Sequence, residues 1–316
     1  MAPKKLIYFQ IWGAKIEYAN MLRMCINSIR CHHENDNIDM MIICDTHAWP
    51  NISNLEIKLY LVTQPPVTYE PYDKLHIMSL TNLSDYDKVL YLDNDIVVSG
   101  DLNPLFDVIE KPNVLYVASS GDFDGHTNEW HSSKMAPHSS TTLENLKKNE
   151  IWPFNVGQFG FVPSKKMKEH LDNCYELRNS KFYDHEQMVM NSYFCTRNIV
   201  DYGLTKFVKL QPTWEYAPYE NFLVTHFIGM HAKVDTKIEL MIDYMISAIL
   251  PNICFAVSYE PIVKEYRPFT GLFDGPRGWV MCENIPWDDQ FLKIICSYGL
   301  RIWWSTPDRS KFLIRI

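Results

Sequence analysis

Val89-Leu90-Tyr91-Leu92 is an unbroken apolar run that ends, with no turn residue between, on Asp93-Asn94-Asp95. So short a run without polar alternation reads as a strand buried on both faces, and such strands belong to sheets covered by helices on both sides. Ligands of these sheets sit beyond the carboxyl ends of the strands. The run therefore narrows the fold to an α/β class and sets two carboxylates at the edge where that class does its chemistry. Side chains two residues apart can turn toward one side. Two hard oxygen ligands so placed suit Mg²⁺ or Mn²⁺, with a diphosphate and a third protein group completing the shell.

The rest of the chain supports the class. Leu6 to Ile11, Met40 to Cys44 (ending at Asp45) and Leu55 to Val62 (stopped by Pro65-Pro66) are strand-like, as are Val114 to Ser119, Phe159 to Val162 and Val224 to Ile228. Helical spacing joins Met21, Leu22, Cys25 and Ile29, then Leu75, Met78 and Leu83 within Tyr72 to Leu83, and recurs over Lys165 to Leu177 and Glu186 to Tyr193. Strands alternating with helices predict a mainly parallel sheet covered on both faces, with Asp45 and Asp93 both aimed at its crevice. The polar stretch Gly121 to Lys148 is too long for a simple connection and reads as a functional loop with a short helix near Thr142 to Asn149. Beyond Thr236 the texture shifts to one apolar helix and then Trp-, Tyr- and Pro-rich strand-like pieces, so a boundary is placed between residues 1–235 and 236–316.

Charge and cysteine usage exclude several classes. With Lys+Arg 30 against Asp+Glu 38 the net charge is −8, and no basic run offers a nucleic-acid surface. An acidic protein can still hold an anionic diphosphate when a cation supplies the positive charge. The 8 cysteines show no zinc-site spacing and several lie in apolar runs, which points to buried thiols in a reducing compartment. Met1 to Leu6 lacks a signal peptide's apolar core. Ile238 to Leu250 is too short to span a membrane and carries Glu239 and Asp243. The expectation is a soluble, cytoplasmic protein.

The segments Lys74-Leu75-His76 to Leu80-Thr81, Lys88 to Val98 with Asp101-Leu102 and Leu105-Phe106, Tyr18-Ala19 to Ser28-Ile29, Phe154-Asn155-Val156-Gly157, Glu186-Gln187 with Asn191, and His226-Phe227-Ile228-Gly229 together resemble glycosyltransferase family 8, nearest its glycogenin-like members. The resemblance covers roughly the first three-quarters of the chain, and its blocks fall in the family's order. It implies a GT-A fold: a Rossmann-like nucleotide-binding half merged with an acceptor half over 1–235, followed by a C-terminal α+β extension that serves the acceptor or a homodimer interface. It also implies a retaining, metal-dependent transfer of a hexose from a UDP-sugar to an acceptor hydroxyl on a glycan, protein or lipid.

The same resemblance assigns roles. Asp93, Asp95 and His226 would bind Mn²⁺ or Mg²⁺. Lys74 and Asp93 would contact the donor's sugar or phosphates, with Asn94 and Gly229 on the donor side. Tyr18 and the backbone of Phe9, Gln10 and Ile11 would line the uracil and ribose pocket. Asn155 and Gly157 would face the sugar, above Gln187 and Glu186 near the anomeric carbon. Taken singly, each residue has a plainer reading: Tyr18 as helix packing, Lys74 as surface, Asn155 as a turn cap, His226 as a core histidine.

The chain departs from the family pattern at His226-Phe227-Ile228-Gly229-Met230-His231-Ala232-Lys233, where the lysine comes one residue late and no Pro-Trp follows. Either Lys233 still grips the diphosphate, or His231 takes a polar role there. Val156 stands where the family has a small residue, and Tyr183-Asp184-His185 precedes Glu186. The sugar pocket is therefore reshaped and the donor sugar is left open. Front-face attack by the acceptor is favoured, with the Gln187 carbonyl and nearby carboxylates stabilising the cationic transition state; a covalent route would need Glu186 or Asp184 as nucleophile. Two rival readings stand beside this one: an inverting transferase with Asp122 or Asp124 as base, and a binding protein without turnover. The tryptophans 279, 287, 303 and 304 would serve either an acceptor or a core or interface.

Overall fold

A computed structural model describes residues 3–33, 38–53, 55, 57–62, 71–120, 146, 148–177, 186–213, 222–229, 237, 238, 240, 241, 244, 245, 279–283, 301–304 and 311–315. In chain order the elements are β1 (Lys5–Ile11), α1 (Ile16–His32), β2 (Ile38–Asp45), α2 (Trp49–Ile52) and β3 (Lys58–Val62). A 3₁₀ turn (Pro71–His76) runs into α3 (Ile77–Leu80), followed by β4 (Lys88–Leu92), β5 (Ile96–Val98), α4 (Asn103–Asp107), β6 (Leu115–Ser119) and β7 (Phe154–Phe161). Then come α5 (Lys165–Glu176), α6 (Glu186–Met190) with a π-helical turn (Asn191–Cys195), β8 (Val200–Asp201), β9 (Val208–Pro212) and β10 (Val224–Ile228). The last are β11 (Trp279–Glu283), β12 (Arg301–Trp304) and β13 (Lys311–Arg315).

The chain divides into two compact units, one of residues 1–14, 35–93 and 102–208, the other of 15–34, 94–101 and 209–316. The first unit is built on a 7-stranded sheet in the order β3-β2-β1-β4-β7-β6-β8. β3, β2, β1 and β4 are parallel neighbours, and β7 runs antiparallel to both β4 and β6. The sheet is thus mixed, and the parallel part is the half that the apolar runs announced. β1 has β2 on one side and β4 on the other, so the order of winding reverses beside β1, where α/β sheets bind ligands. Tyr8, Tyr91 and Phe159 sit side by side across three strands, with ring centroids 5.0 Å apart for Tyr8–Tyr91 and for Tyr91–Phe159. They belong to one apolar core with Val117, Phe161, Met167, Leu171 and Phe194. Burial on that scale is the main term that holds the sheet together.

The second unit holds α1, a 3-stranded sheet β5-β10-β9 and a 3-stranded antiparallel sheet β11-β13-β12. The apolar stripe of α1 is buried as its spacing requires, including Met21, Leu22, Cys25 and Ile29. Ser28, buried on the same helix, accepts a hydrogen bond from the Val98 N–H at 2.9 Å and so pins β5 to α1.

Several expectations change. The stretch expected as one helix over Tyr72 to Leu83 is a 3₁₀ turn and a single helical turn. β7 begins at Phe154, well before the expected Phe159, because Asn155 and Gly157 interrupt the apolar pattern and not the ladder. The sheet β5-β10-β9 had no expectation, since β5 is only three residues long. The loop tip, Asp122 and Asp124, and the boundary at Thr236 fall outside the described residues. Of the described cysteines, Cys25, Cys44, Cys174 and Cys195 are buried free thiols and Cys31 is exposed. Burial raises the Cys44 thiol to about 11. Among the described residues no helix is long and apolar enough to cross a membrane.

Candidate active site

The ladder between β4 and β7 does not stop at Leu92. The Asp93 N–H donates to the Gly157 carbonyl at 2.7 Å, so Asn155-Val156-Gly157 lies alongside the first aspartate. Asp93 Oδ1 accepts from the Tyr91 hydroxyl. It also lies 3.7 Å from Lys74 Nζ. Lys74 is far from the surface lysine it resembles alone: it is only 3 % exposed, reaches Glu186 Oε1 at 3.3 Å, and donates to the Val156 carbonyl at 3.3 Å. Its ammonium stands 4.9 Å over the Tyr91 ring. The Tyr8 hydroxyl holds the Lys74 backbone carbonyl at 2.8 Å. Burial, with the Asp93 charge adding to it, raises the Tyr8 pKa well above its ordinary value and keeps that donor protonated.

Glu186 and Gln187 open α6, whose apolar side is buried through Met188, Val189 and Met190. Gln187 Oε1 accepts from Asn155 Nδ2 and from the Val156 N–H, each at 3.3 Å. Asn155 Oδ1 in turn accepts from the Gly157 N–H at 2.8 Å. Asn191, fully buried, donates to the Phe154 carbonyl and accepts from the Phe154 N–H, both at 2.8 Å. It thereby pairs with the start of β7 as a further strand would, and it donates to the Gln187 carbonyl at 2.9 Å. Asn191 is thus the joint that fixes α6 against Asn155, a role that residue type alone did not signal.

Asp95 is placed by β5 and β10. His226 lies opposite Ile96 in that antiparallel pair, and the Phe227 N–H donates to the Asp95 carbonyl at 2.9 Å. His226 Nε2 then falls 3.1 Å from Asp95 Oδ1. Lys237 Nζ meets Asp95 Oδ2. Burial would raise the Asp95 pKa, but the charges and hydrogen bonds of His226 and Lys237 outweigh it and hold the carboxyl far below the usual carboxylate range. Lys237 had no sequence signal, because it lies 142 residues along the chain from Asp95.

Asp93, Asp95 and His226 each offer one ligand atom within 4.8 Å of the others. Two carboxylates and an imidazole make an O,O,N set that suits Mn²⁺, and Mg²⁺ less well because imidazole is a poor ligand for it. Asn94 Oδ1, between the two aspartates, is buried and has no hydrogen-bond partner among the described residues. A polar atom stranded in the middle of the motif fits a site built for a polar ligand.

The remaining predicted residues separate into groups. Phe9, Gln10 and Ile11 are buried at the carboxyl end of β1. Tyr18 is half-buried in the first turns of α1, with Lys15 Nζ 5.5 Å from its ring. Gly229 follows β10 at φ 156°, and a Cβ there would meet Thr213 Oγ1 at 2.3 Å, so the glycine is required by a close approach. Asp45 does not open into the crevice: its carboxylate accepts from the Ala48 N–H at 2.7 Å and from the Gly13 N–H at 3.2 Å, tying the exits of β1 and β2 together. Asp184, His231 and Lys233 lie outside the described residues.

The family model for glycosyl transferase family 8 matches residues 16–234. The chain belongs to glycosyl transferase family 8. The family's α/β GT-A fold is also found in solved structures. The galactosyltransferase LgtC, in complex with donor and acceptor sugar analogs, superposes with a TM-score of 0.53 at 18% identity over 75% of this chain and 95% of that one. The apo glycosyltransferase GlyE of Streptococcus pneumoniae TIGR4 gives 0.52 at 17% identity over 84% and 64%. The bifunctional glycosyltransferase WbbM gives 0.51 at 17% identity over 76% and 50%. No curated protein matches the chain at a significant level. As a family 8 glycosyltransferase the chain is an enzyme acting on a sugar donor and an acceptor, and Asp93, Asp95 and His226 are its candidate metal ligands.

Proposed function

We propose that this family 8 enzyme is a retaining hexosyltransferase that uses a UDP-sugar and a divalent ion, preferably Mn²⁺. The clustering of Asp93, Asp95 and His226 within 4.8 Å carries the reading. Those three residues would hold the ion, which when bound supplies Lewis-acid stabilisation of the departing diphosphate. Lys74 would hold the donor from the Asp93 side, and its burial keeps that charge in one place. Asn155 and Gln187 would bear on the sugar as a single hydrogen-bonded unit. Glu186 is the counter-ion of Lys74 at 3.3 Å, which favours front-face attack over a covalent route through that carboxylate. Phe9 to Ile11 and Tyr18 are assigned to the nucleoside, Gly229 and Lys233 to the diphosphate, and residues 236–316 to the acceptor or to a second copy of the chain.

The test is release of UDP from UDP-glucose, UDP-galactose and UDP-N-acetylglucosamine, with Mn²⁺ and with EDTA, for wild type and Asp95→Ala. Metal-dependent release from one donor, abolished in the variant, is the expected result. Release that persists in EDTA, or in Asp95→Ala, would overturn the metal assignment. UDP binding without release from any donor would point instead to a binding protein.

A further inference from the structure

Each aspartate of Asp93-Asn94-Asp95 has a lysine of its own. For Asp93 it is Lys74, at 3.7 Å. For Asp95 it is Lys237, to which neither the sequence pattern nor the family resemblance gives any role. We propose that the Lys237 ammonium is the built-in counter-cation of Asp95, that it competes with the divalent ion for that carboxylate, and that metal loading displaces it. The proposal rests on the metal site put forward above.

Both Asp95 oxygens are engaged: Oδ1 faces His226 Nε2 at 3.1 Å and Oδ2 faces Lys237 Nζ. The side chains of Lys237 and Asp95 are only 15% and 14% exposed, so solvent screens the pair weakly. Without the ammonium, Asp95 would be a largely buried carboxylate facing His226 and, within 4.8 Å, the like charge of Asp93, and a buried charge that loses its partner destabilises the fold. With the ammonium in contact, an incoming divalent ion meets a positive charge on the very carboxylate that should bind it. Lys237 lies in helical backbone, and its four-carbon stem can swing the charge away without moving that backbone. Metal and ammonium are therefore linked through Asp95, and the stability of the ion pair is subtracted from the affinity for the ion.

The experiment measures Mn²⁺ binding to the full chain without nucleotide, from the paramagnetic resonance signal of free Mn²⁺. Wild type, Asp95→Asn, Lys237→Met and Lys237→Arg are compared, and the melting temperature of each metal-free protein is recorded. Lys237→Met should bind Mn²⁺ about tenfold more tightly than wild type while melting lower without metal. A part that is only structural would not move these two readouts in opposite directions. Lys237→Arg keeps the charge and should bind no more tightly than wild type, which keeps the test available if the methionine variant does not fold. Equal or weaker binding by Lys237→Met, or tighter binding by Lys237→Arg, overturns the competition, and if Asp95→Asn still abolishes binding the metal site survives. Absence of Mn²⁺ binding from every protein, wild type included, removes the site and the competition together.

Discussion

Lys74 shows how one side chain organises the edge of the candidate site. Almost closed to water, it is held by the Asp93 and Glu186 carboxylates, the Val156 carbonyl and the face of Tyr91. The partners come from three stretches of chain, so the ammonium joins the end of β4, β7 and α6. Removing it would take a buried positive charge away from both Glu186 and Asp93. Breaking a buried pair costs about 3–5 kcal/mol, and since Asp93 is 30% exposed, Lys74→Met should destabilise by about 2–4 kcal/mol. Urea unfolding with an unchanged m-value would measure it, and a loss below about 0.5 kcal/mol would mean that water reaches the carboxylates. The sequence marked Lys74 only through resemblance. By residue type it was a surface lysine, because no local pattern reports that a distant strand and helix will close over it.

The elements that place the candidate metal ligands are short. β5 has three residues, and its pairing with β10 sets His226 beside Asp95. β10 itself ends at Ile228, and the next residue, Gly229, lies close against Thr213. Gly229→Ala should therefore push β9 and β10 apart. The expected result is a lower melting temperature and a weaker affinity for Mn²⁺, with part of both losses recovered in the Gly229→Ala, Thr213→Ala double variant, which removes Oγ1. No recovery would mean that the backbone angle, and not the contact, sets the cost. β5 could not be recognised from its own residues, since three apolar positions have no measurable period. The long strands were legible for the opposite reason: continuous burial leaves a continuous apolar run, as in β1, β2 and β4.

At the scale of the molecule, ligand atoms from Asp93, Asp95 and His226 converge although His226 is far from the aspartates along the chain. A ligand that binds the folded chain and not the unfolded one raises its stability by mass action. Mn²⁺ at a hundred times its dissociation constant should add about 2.7 kcal/mol, a rise of roughly 4 °C in melting temperature for a chain of this size. EDTA should reverse the shift, and Asp95→Ala should show none. An equal shift in that variant would place the binding elsewhere.

Local covalent order was enough for the parallel half of the sheet, the amphipathic α1 and the pair of aspartates at a strand end, because burial on two faces, helical spacing and a two-residue separation are all written within a few consecutive residues. Family order added His226, Asn155 and Gln187. Folding in three dimensions settled the rest. It turned β7 antiparallel, gave the Asp45 carboxylate to backbone N–H groups, made Asn191 the brace behind Gln187, and brought Lys237 onto Asp95. Each of these depends on hydrogen bonds or ion pairs between residues distant in the chain. Such partners are chosen by the energy of leaving a buried polar group unpaired, and that energy exists only once the surrounding chain has closed over it.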